Sequence, residues 1–99
     1  MNLKLSNDII NDVRFRAQQK RIACGFTQAE LAERSGVSLG SVKRFERTGE
    51  ISFSSLMAIA EIVGALDDFA TLFAPTQTYA TITEVLAKDV KRQRVRHAR

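Results

Sequence analysis

The strongest structural signal in the chain is the segment FTQAELAERSGVSLGSVKRFE, Phe26 to Glu46. Thr27 stands three residues before Glu30, which is the spacing of a capping box at the start of a helix. Gly36 suits the left-handed conformation that ends a helix, and Ser38 is a good cap for the next one. The stretch therefore predicts two short helices joined by a tight turn. Because helices of about two turns are unstable alone, neighbouring elements must hold them.

Two such helices form the helix-turn-helix arrangement. The second of the pair is predicted over residues 39–47 and turns polar and basic side chains outward. The major groove of B-DNA is wide enough to accept one α-helix, so this helix can be short and still read a few base pairs. The apolar residues that fill the core shared by the two helices are expected to be Leu31, Ala32, Val37, Val42 and Phe45.

Helix signals also surround this pair, and no segment has the alternation typical of a strand, so the predicted class is all-α. Pro75 marks the boundary between a helix-turn-helix domain, 1–75, and a C-terminal amphipathic helix with a basic tail, 76–99. Three other helices are expected in the domain. The first runs from Asn7 to Ala23 and is capped by Ser6, and its inward residues are Ile9, Ile10, Val13, Ala17 and Ile22. The other two are Phe53 to Val63, capped by Ser52, and a short helix from Asp67 to Phe73.

The C-terminal segment separates the charges of the chain. Residues 88–99 carry a net charge of +5, whereas residues 1–87 carry −1. A basic tail suggests a polyanion or an acidic partner surface, and a solvated end without a binding role is the alternative. Before the tail, a narrow apolar stripe at helical spacing predicts a sixth helix, with Thr81 and Glu84 as its capping box and Ile82, Val85, Leu86 and Val90 in the stripe.

Several classes of function find no support in the sequence. The chain has one cysteine, Cys24, which we expect to be a small buried or half-buried residue, and one histidine, His97, in the basic tail. With these residues no disulfide, metal site or hydrolytic triad can be argued, and no glycine-rich phosphate loop is present. We therefore expect no enzyme activity and no cofactor. No apolar run approaches the ~20 residues of a membrane span, and a cytoplasmic protein is expected.

The helix-turn-helix segment and the residues after it resemble a known family. The residues TQAELAERSGVSLGSVKRFERTGEIS, followed by LMAIAEIVG, are similar to the phage-repressor-like helix-turn-helix regulators, also called the Cro/C1 or XRE type. The resemblance extends from about Ile10 to Phe73. It implies a lambda-repressor-like bundle of five helices that binds double-stranded DNA as a homodimer, reads a palindromic operator and represses transcription.

The resemblance also implies the residues that contact DNA. Gln28 is expected to meet a phosphate and to brace the third helix, and Arg47 is a candidate for another phosphate. Leu39 and Gly40 depart from the polar residues common at their positions, so base reading falls mainly to Lys43 and Arg44. The full expected DNA-binding set is Gln28, Ser38, Leu39, Gly40, Ser41, Lys43, Arg44 and Arg47.

Glu46 lies on the same helix as these residues but would repel phosphate. We therefore expect it to have a structural role, either capping the next loop or pairing with a nearby arginine such as Arg21.

A second function remains open. Small regulators with a stretch similar to KRFERTGEIS and a basic end similar to KRQRVR resemble antitoxins that are paired with HipA-type kinases. In that case a toxin protein would be a partner, and DNA binding would serve autoregulation. The candidate residues for a dimer interface are those left over after the bundle is packed, namely Leu66, Phe69, Leu72, Phe73, Ile82, Val85 and Leu86.

Overall fold

The computed structural model describes residues 4–76 of the chain. The predicted sixth helix and the basic tail lie outside the described residues. Within 4–76 the chain is all-α and contains no strand, as predicted. Its elements are α1 (Ser6–Ala23), α2 (Gln28–Ser35), α3 (Leu39–Thr48), α4 (Phe53–Ile62) and a 3-10 turn (Leu66–Phe69).

The predicted caps of α2, α3 and α4 are confirmed. Thr27 Oγ accepts from the Glu30 backbone N–H at 3.0 Å, and the Glu30 carboxylate accepts from the Thr27 N–H at 2.8 Å. Both members of the capping box are therefore satisfied. Ser38 and Ser52 each accept a backbone N–H three residues further on, at 3.1 Å. These bonds fix the starts of the three helices, and thereby the direction in which α3 leaves the turn.

The start of α1 differs from the prediction by one residue, because its cap is Leu5 and Ser6 already lies in the helix. The Leu5 N–H donates to the Asp8 carboxylate at 3.1 Å, so an acid in the first turn satisfies the backbone N–H of the cap residue. Lys4 Nζ donates to Asp12 at 2.6 Å, and this hydrogen bond lowers the pKa of the exposed Asp12 carboxyl from its ordinary value.

The core lies between α2, α3 and α4, as the helix-turn-helix interpretation requires. Gly36 ends α2 with φ 80°, a left-handed conformation that a side chain would strain. The three residues Gly36 to Ser38 then join α2 to α3. All five predicted core residues are buried, and α4 completes the cluster; its members are Leu31, Ala32, Val37, Val42, Phe45, Ile59 and Val63.

The inward face predicted for α1 is wrong in its main part. No residue of α1 is fully buried, and Ile9, Ile10 and Ile22 are exposed. Only Ala17 packs against the core cluster from this helix. Polar side chains of α1 contact α3 instead, so the apolar periodicity of α1 does not mark its contact face.

Cys24 is also exposed, contrary to expectation. It is the C-cap of α1, directly before Gly25 with φ 81°, and the turn of the chain at this point leaves it on the surface.

The predicted fifth helix, Asp67 to Phe73, is wrong. In its place the chain forms the 3-10 turn and then further turns over residues 70–73. Phe69 packs edge-on against Phe53 of α4, with ring centroids 6.5 Å apart, which fixes the turn against α4. Phe73 has φ 63°, a left-handed conformation incompatible with a continuing helix.

The position of α3 depends on the buried carboxylate of Glu46. Its side chain is 4% exposed and that of its ion-pair partner Arg21, from α1, is 11% exposed. Arg21 Nε donates to Oε2 of Glu46 at 2.7 Å, and a second guanidinium nitrogen donates to Oε1 at 3.1 Å. The expected Arg21–Glu46 pair is therefore present. Gln18 of α1 and Gln28 of α2 donate to the same Oε1, at 3.3 and 2.9 Å.

Two further hydrogen bonds extend this network to the backbone. Arg14 of α1 donates to the Glu46 carbonyl at 2.8 Å. Arg21 donates to the Phe26 carbonyl at 2.7 Å, in the segment that connects α1 to α2. One acidic residue of α3 thus ties together three helices, and no buried side-chain nitrogen or oxygen in residues 4–76 lacks a hydrogen-bond partner.

Removing the charge of Glu46 is expected to destabilise the fold strongly. Glu46→Gln keeps the shape of the side chain but leaves the Arg21 guanidinium buried without its counter-charge, a change that costs about 3 kcal/mol or more. Chemical denaturation measures this loss. Glu61→Gln, at an exposed position of α4, is the control and should lie within about 0.5 kcal/mol of the parent protein. Equal stability of the two variants would contradict the role given to Glu46.

Candidate nucleic-acid interface

The outward face of α3 is basic. Gly40, Lys43, Arg44 and Arg47 are spaced i, i+3, i+4 and i+7, so they lie along one side of the helix. All four are exposed. The opposite side carries the buried residues of α3, which are Val42, Phe45 and Glu46. The helix therefore presents three cationic side chains outward while its other side is fixed to the core.

The first turn of α3 presents little side-chain bulk. A Cβ atom at Gly40 would meet no other atom within 4 Å, so the backbone is open to the outside there. Leu39, beside it, is partly exposed and offers only apolar contact. Ser38 is occupied in capping, and it also donates its hydroxyl to Ser41 Oγ at 2.9 Å. The hydroxyl proton of Ser41 is not used in this bond and can be donated outward.

Arg44 forms an ion pair that the sequence analysis missed. Its Nε donates to Oε1 of Glu50 at 2.9 Å, and a second guanidinium nitrogen donates to the same oxygen. The two side chains are 62% and 64% exposed. Exposed pairs of this kind contribute about 0–1 kcal/mol, so a phosphate or a base could replace Glu50 as the partner of Arg44 at little cost.

The loop after α3 explains why Glu50 reaches Arg44. Gly49 ends α3 with φ 85° and turns the chain back along the helix. Thr48 Oγ donates to the Arg44 carbonyl at 2.8 Å and accepts from the Glu50 N–H at 3.1 Å, which fixes the turn. The left-handed conformation favours glycine here, and a side chain at this position would also displace the Ile10 side chain. The signal for this pair was the glycine at the helix end, since it brings the next residue back towards the last turns of α3.

A small notch lies beside the basic face, between α3 and the start of α4. Its volume is about 310 Å³. Arg44 and Glu50 form one wall, and hydroxyl-bearing residues form much of the rest. The lining residues are Ser41, Arg44, Glu50, Ile51, Ser52 and Ser55.

Gln28 occupies the first position of α2 and is half-buried. Its amide donates to the Glu46 carboxylate at 2.9 Å, so its expected role as a brace for α3 is present in the structure. Its contact with a phosphate stays a prediction. The structure thus brings together Ser38 to Arg47 on α3 and its cap, and it connects Gln28 to them through Glu46.

Neither a metal site nor a membrane-spanning helix is found in residues 4–76. No three histidine, cysteine or acidic side chains in that range are grouped closely enough to hold a metal ion. Among the helices that the structure describes, none combines the length and the apolar character needed to cross a membrane.

Comparison with protein families identifies the type of domain. The family model HTH_3, described as helix-turn-helix, matches residues 18–67, which is just over half of the chain. The match includes the end of α1 and all of α2, α3 and α4. No curated protein and no solved structure gives a significant match. The chain therefore belongs to the HTH_3 helix-turn-helix family, the XRE or Cro/C1 type of DNA-binding transcription regulator.

Proposed function

We propose that this protein is a sequence-specific repressor that binds a palindromic operator as a homodimer, with α3 of each subunit in a major groove. The observation that carries the proposal is the exposed basic face of α3, held outward by the buried Glu46 network. Occupation of an operator by a dimer would hinder access of the transcription machinery to the promoter. The protein needs no catalytic group or cofactor for this role.

The first turn of α3 is suited to close approach to the bases. In helix-turn-helix proteins the N-terminal residues of the recognition helix contact base edges. The bare backbone at Gly40 lets the helix come close to the groove floor. Leu39 would contact a thymine methyl group, and the Ser41 hydroxyl would donate to a base acceptor or a phosphate.

Arg44 and Lys43 would supply the direct reading of bases. A guanidinium group can donate two parallel hydrogen bonds to O6 and N7 of guanine. On binding, Arg44 exchanges Glu50 for the base, and the exposed position of this ion pair makes the exchange inexpensive. Arg47 and Gln28 would contact phosphates and thereby set the orientation of α3.

Dimer formation follows from the small size of the reading surface. One short helix covers too few base pairs to select a single site, and two-fold symmetry doubles the site. Leu66 and Phe73 are exposed near the end of the described part of the chain, and they are the interface candidates on the folded body. The basic residues 91–99 would add long-range attraction for DNA, because residues 1–87 carry a net charge of only −1.

Arg44 provides the test of the proposal. Selection from a random DNA pool first yields the operator. Arg44→Ala should then lose about 1–3 kcal/mol of discrimination against a substituted operator. Arg44→Lys keeps the charge but loses the planar fork, so it should also lose discrimination while keeping the dependence of affinity on salt. Binding isotherms at several salt concentrations measure both quantities. If Arg44→Ala changes neither, α3 does not read DNA as proposed.

A second candidate function is that of an antitoxin that neutralises a HipA-type kinase and uses DNA binding for autoregulation. One observation favours it. Phe15 and Ile22 are 56% and 54% exposed. They lie seven residues apart, about two turns, and so share one face of α1. This face carries none of the residues that would contact DNA, and an exposed apolar pair of this kind suits a protein partner.

Co-expression with the product of an adjacent reading frame tests the second candidate. The double variant Phe15→Ser and Ile22→Ser should lose co-purification of that product and keep the operator affinity of the parent. Arg44→Ala is the matched control and should behave in the opposite way. Retention of the partner by the Phe15 and Ile22 variant would exclude this face of α1 as its binding surface.

A further inference from the structure

An apolar groove lies between α1, α4 and the 3-10 turn. Its volume is about 510 Å³, and no residue of α2 or α3 lines it. It is therefore separate from the surface proposed to read DNA. The apolar walls come from all three elements and include Val13, Ala17, Leu56, Ile59, Phe69 and Leu72.

We propose that residues 81–90 of the same chain cover this groove as a helix, with the apolar stripe of that segment facing inward. The stripe consists of Ile82, Val85, Leu86 and Val90. The occupant is thus a segment of this chain, and the interaction joins the C-terminal segment to the helix-turn-helix body within one molecule.

The place where the described chain ends supports this assignment. Leu72 lines the groove, and the next residue, Phe73, is fully exposed in a left-handed conformation. The chain therefore leaves from the wall of the groove itself. Only residues 74–80 separate Phe73 from Thr81. Seven residues can span up to about 23 Å, which is enough to begin a helix at either end of the groove.

The lengths also agree. The groove follows α1 from Val13 to Lys20, and α4 with its C-cap from Leu56 to Val63. Eight helical residues extend about 12 Å. From Ile82 to Val90 a helix rises by about the same 12 Å, with one apolar residue on the same side in nearly every turn. The stripe is therefore as long as the surface that it would cover.

The charges at the rim fit this segment. Three charged residues line the groove, namely Arg16 and Lys20 of α1 and the acid Asp68, so its charge is positive on balance. Neither cation forms an ion pair with another residue of the described range 4–76. Asp89 comes seven residues after Ile82 and directly before Val90, so it falls on the apolar side of the predicted helix. A carboxylate within a docked apolar face requires a cationic partner, and Arg16 and Lys20 provide two.

Cysteine cross-linking in the full-length chain tests the proposal. In a Cys24→Ala background, Ala17→Cys in the groove is combined with Leu86→Cys in the stripe. The control combines Ala17→Cys with Lys88→Cys, which lies on the other side of the predicted helix. Both proteins are treated with a short bifunctional thiol reagent in the absence of DNA. Gln19→Cys, at another position lining the groove, replaces Ala17→Cys if circular dichroism shows that the latter impairs folding.

The expected result is a cross-link within the monomer that forms several-fold faster for the Leu86 pair than for the Lys88 pair. Its rate should not change on dilution, because the two cysteines belong to one chain. Equal rates for the two pairs would overturn the proposal. Cross-linked dimers that disappear on dilution would overturn it as well, since they would assign the groove to a second copy. These outcomes are independent of whether α3 reads DNA.

Discussion

The ion pair between Arg21 and Glu46 is the interaction on which the rest of the structure depends. Glu46 belongs to α3, Arg21 to α1, and Gln28 connects the same carboxylate to α2. A buried ion pair is weak evidence for net stability, because the desolvation of both charges offsets much of their attraction. Its consequence here is geometric. Loss of either partner would leave a buried charge, so the network opposes displacement of α3 from α1 and α2.

Because the Glu46 network holds α3 from its inner side, the outer face of α3 is available for binding. The helix has ten residues, too few to be stable in isolation. Its inner side supplies Val42, Phe45 and Glu46 to the body, and its outer side contributes nothing to the core. Glycine at position 40 is unfavourable for an isolated helix, and the cost is acceptable because packing holds the helix in place.

Two arginine–glutamate pairs occur close together and have opposite roles. The Arg21–Glu46 side chains are 11% and 4% exposed, whereas those of Arg44–Glu50 are 62% and 64% exposed. Breaking the buried pair costs about 3–5 kcal/mol, whereas the exposed pair contributes about 0–1 kcal/mol. The first therefore fixes α3, and the second is free to exchange. Sequence spacing alone does not distinguish them, since the difference arises from burial.

The sequence predicts the caps and the helix-turn-helix core well because both depend on local spacing. Thr27 with Glu30, and Ser38 before α3, satisfy backbone groups only a few residues away. The face of α1 was not predictable in this way, because polar contacts to α3 decide its orientation. The predicted fifth helix is replaced by a short turn, in which Phe69 packs on Phe53 of α4. Local spacing does not reveal a contact between residues so far apart in the sequence. Glu50 was missed because its contact depends on the reversal of the chain at Gly49.

Methylation interference on the selected operator tests most directly whether α3 enters the major groove. Methyl groups at guanine N7 project into the major groove, where Arg44 and Lys43 would bind. If α3 enters the major groove, interference is expected at two symmetric groups of bases separated by about one helical turn, ~10 base pairs. Interference confined to adenine N3, in the minor groove, or a single unpaired group of sensitive bases would contradict this mode of binding.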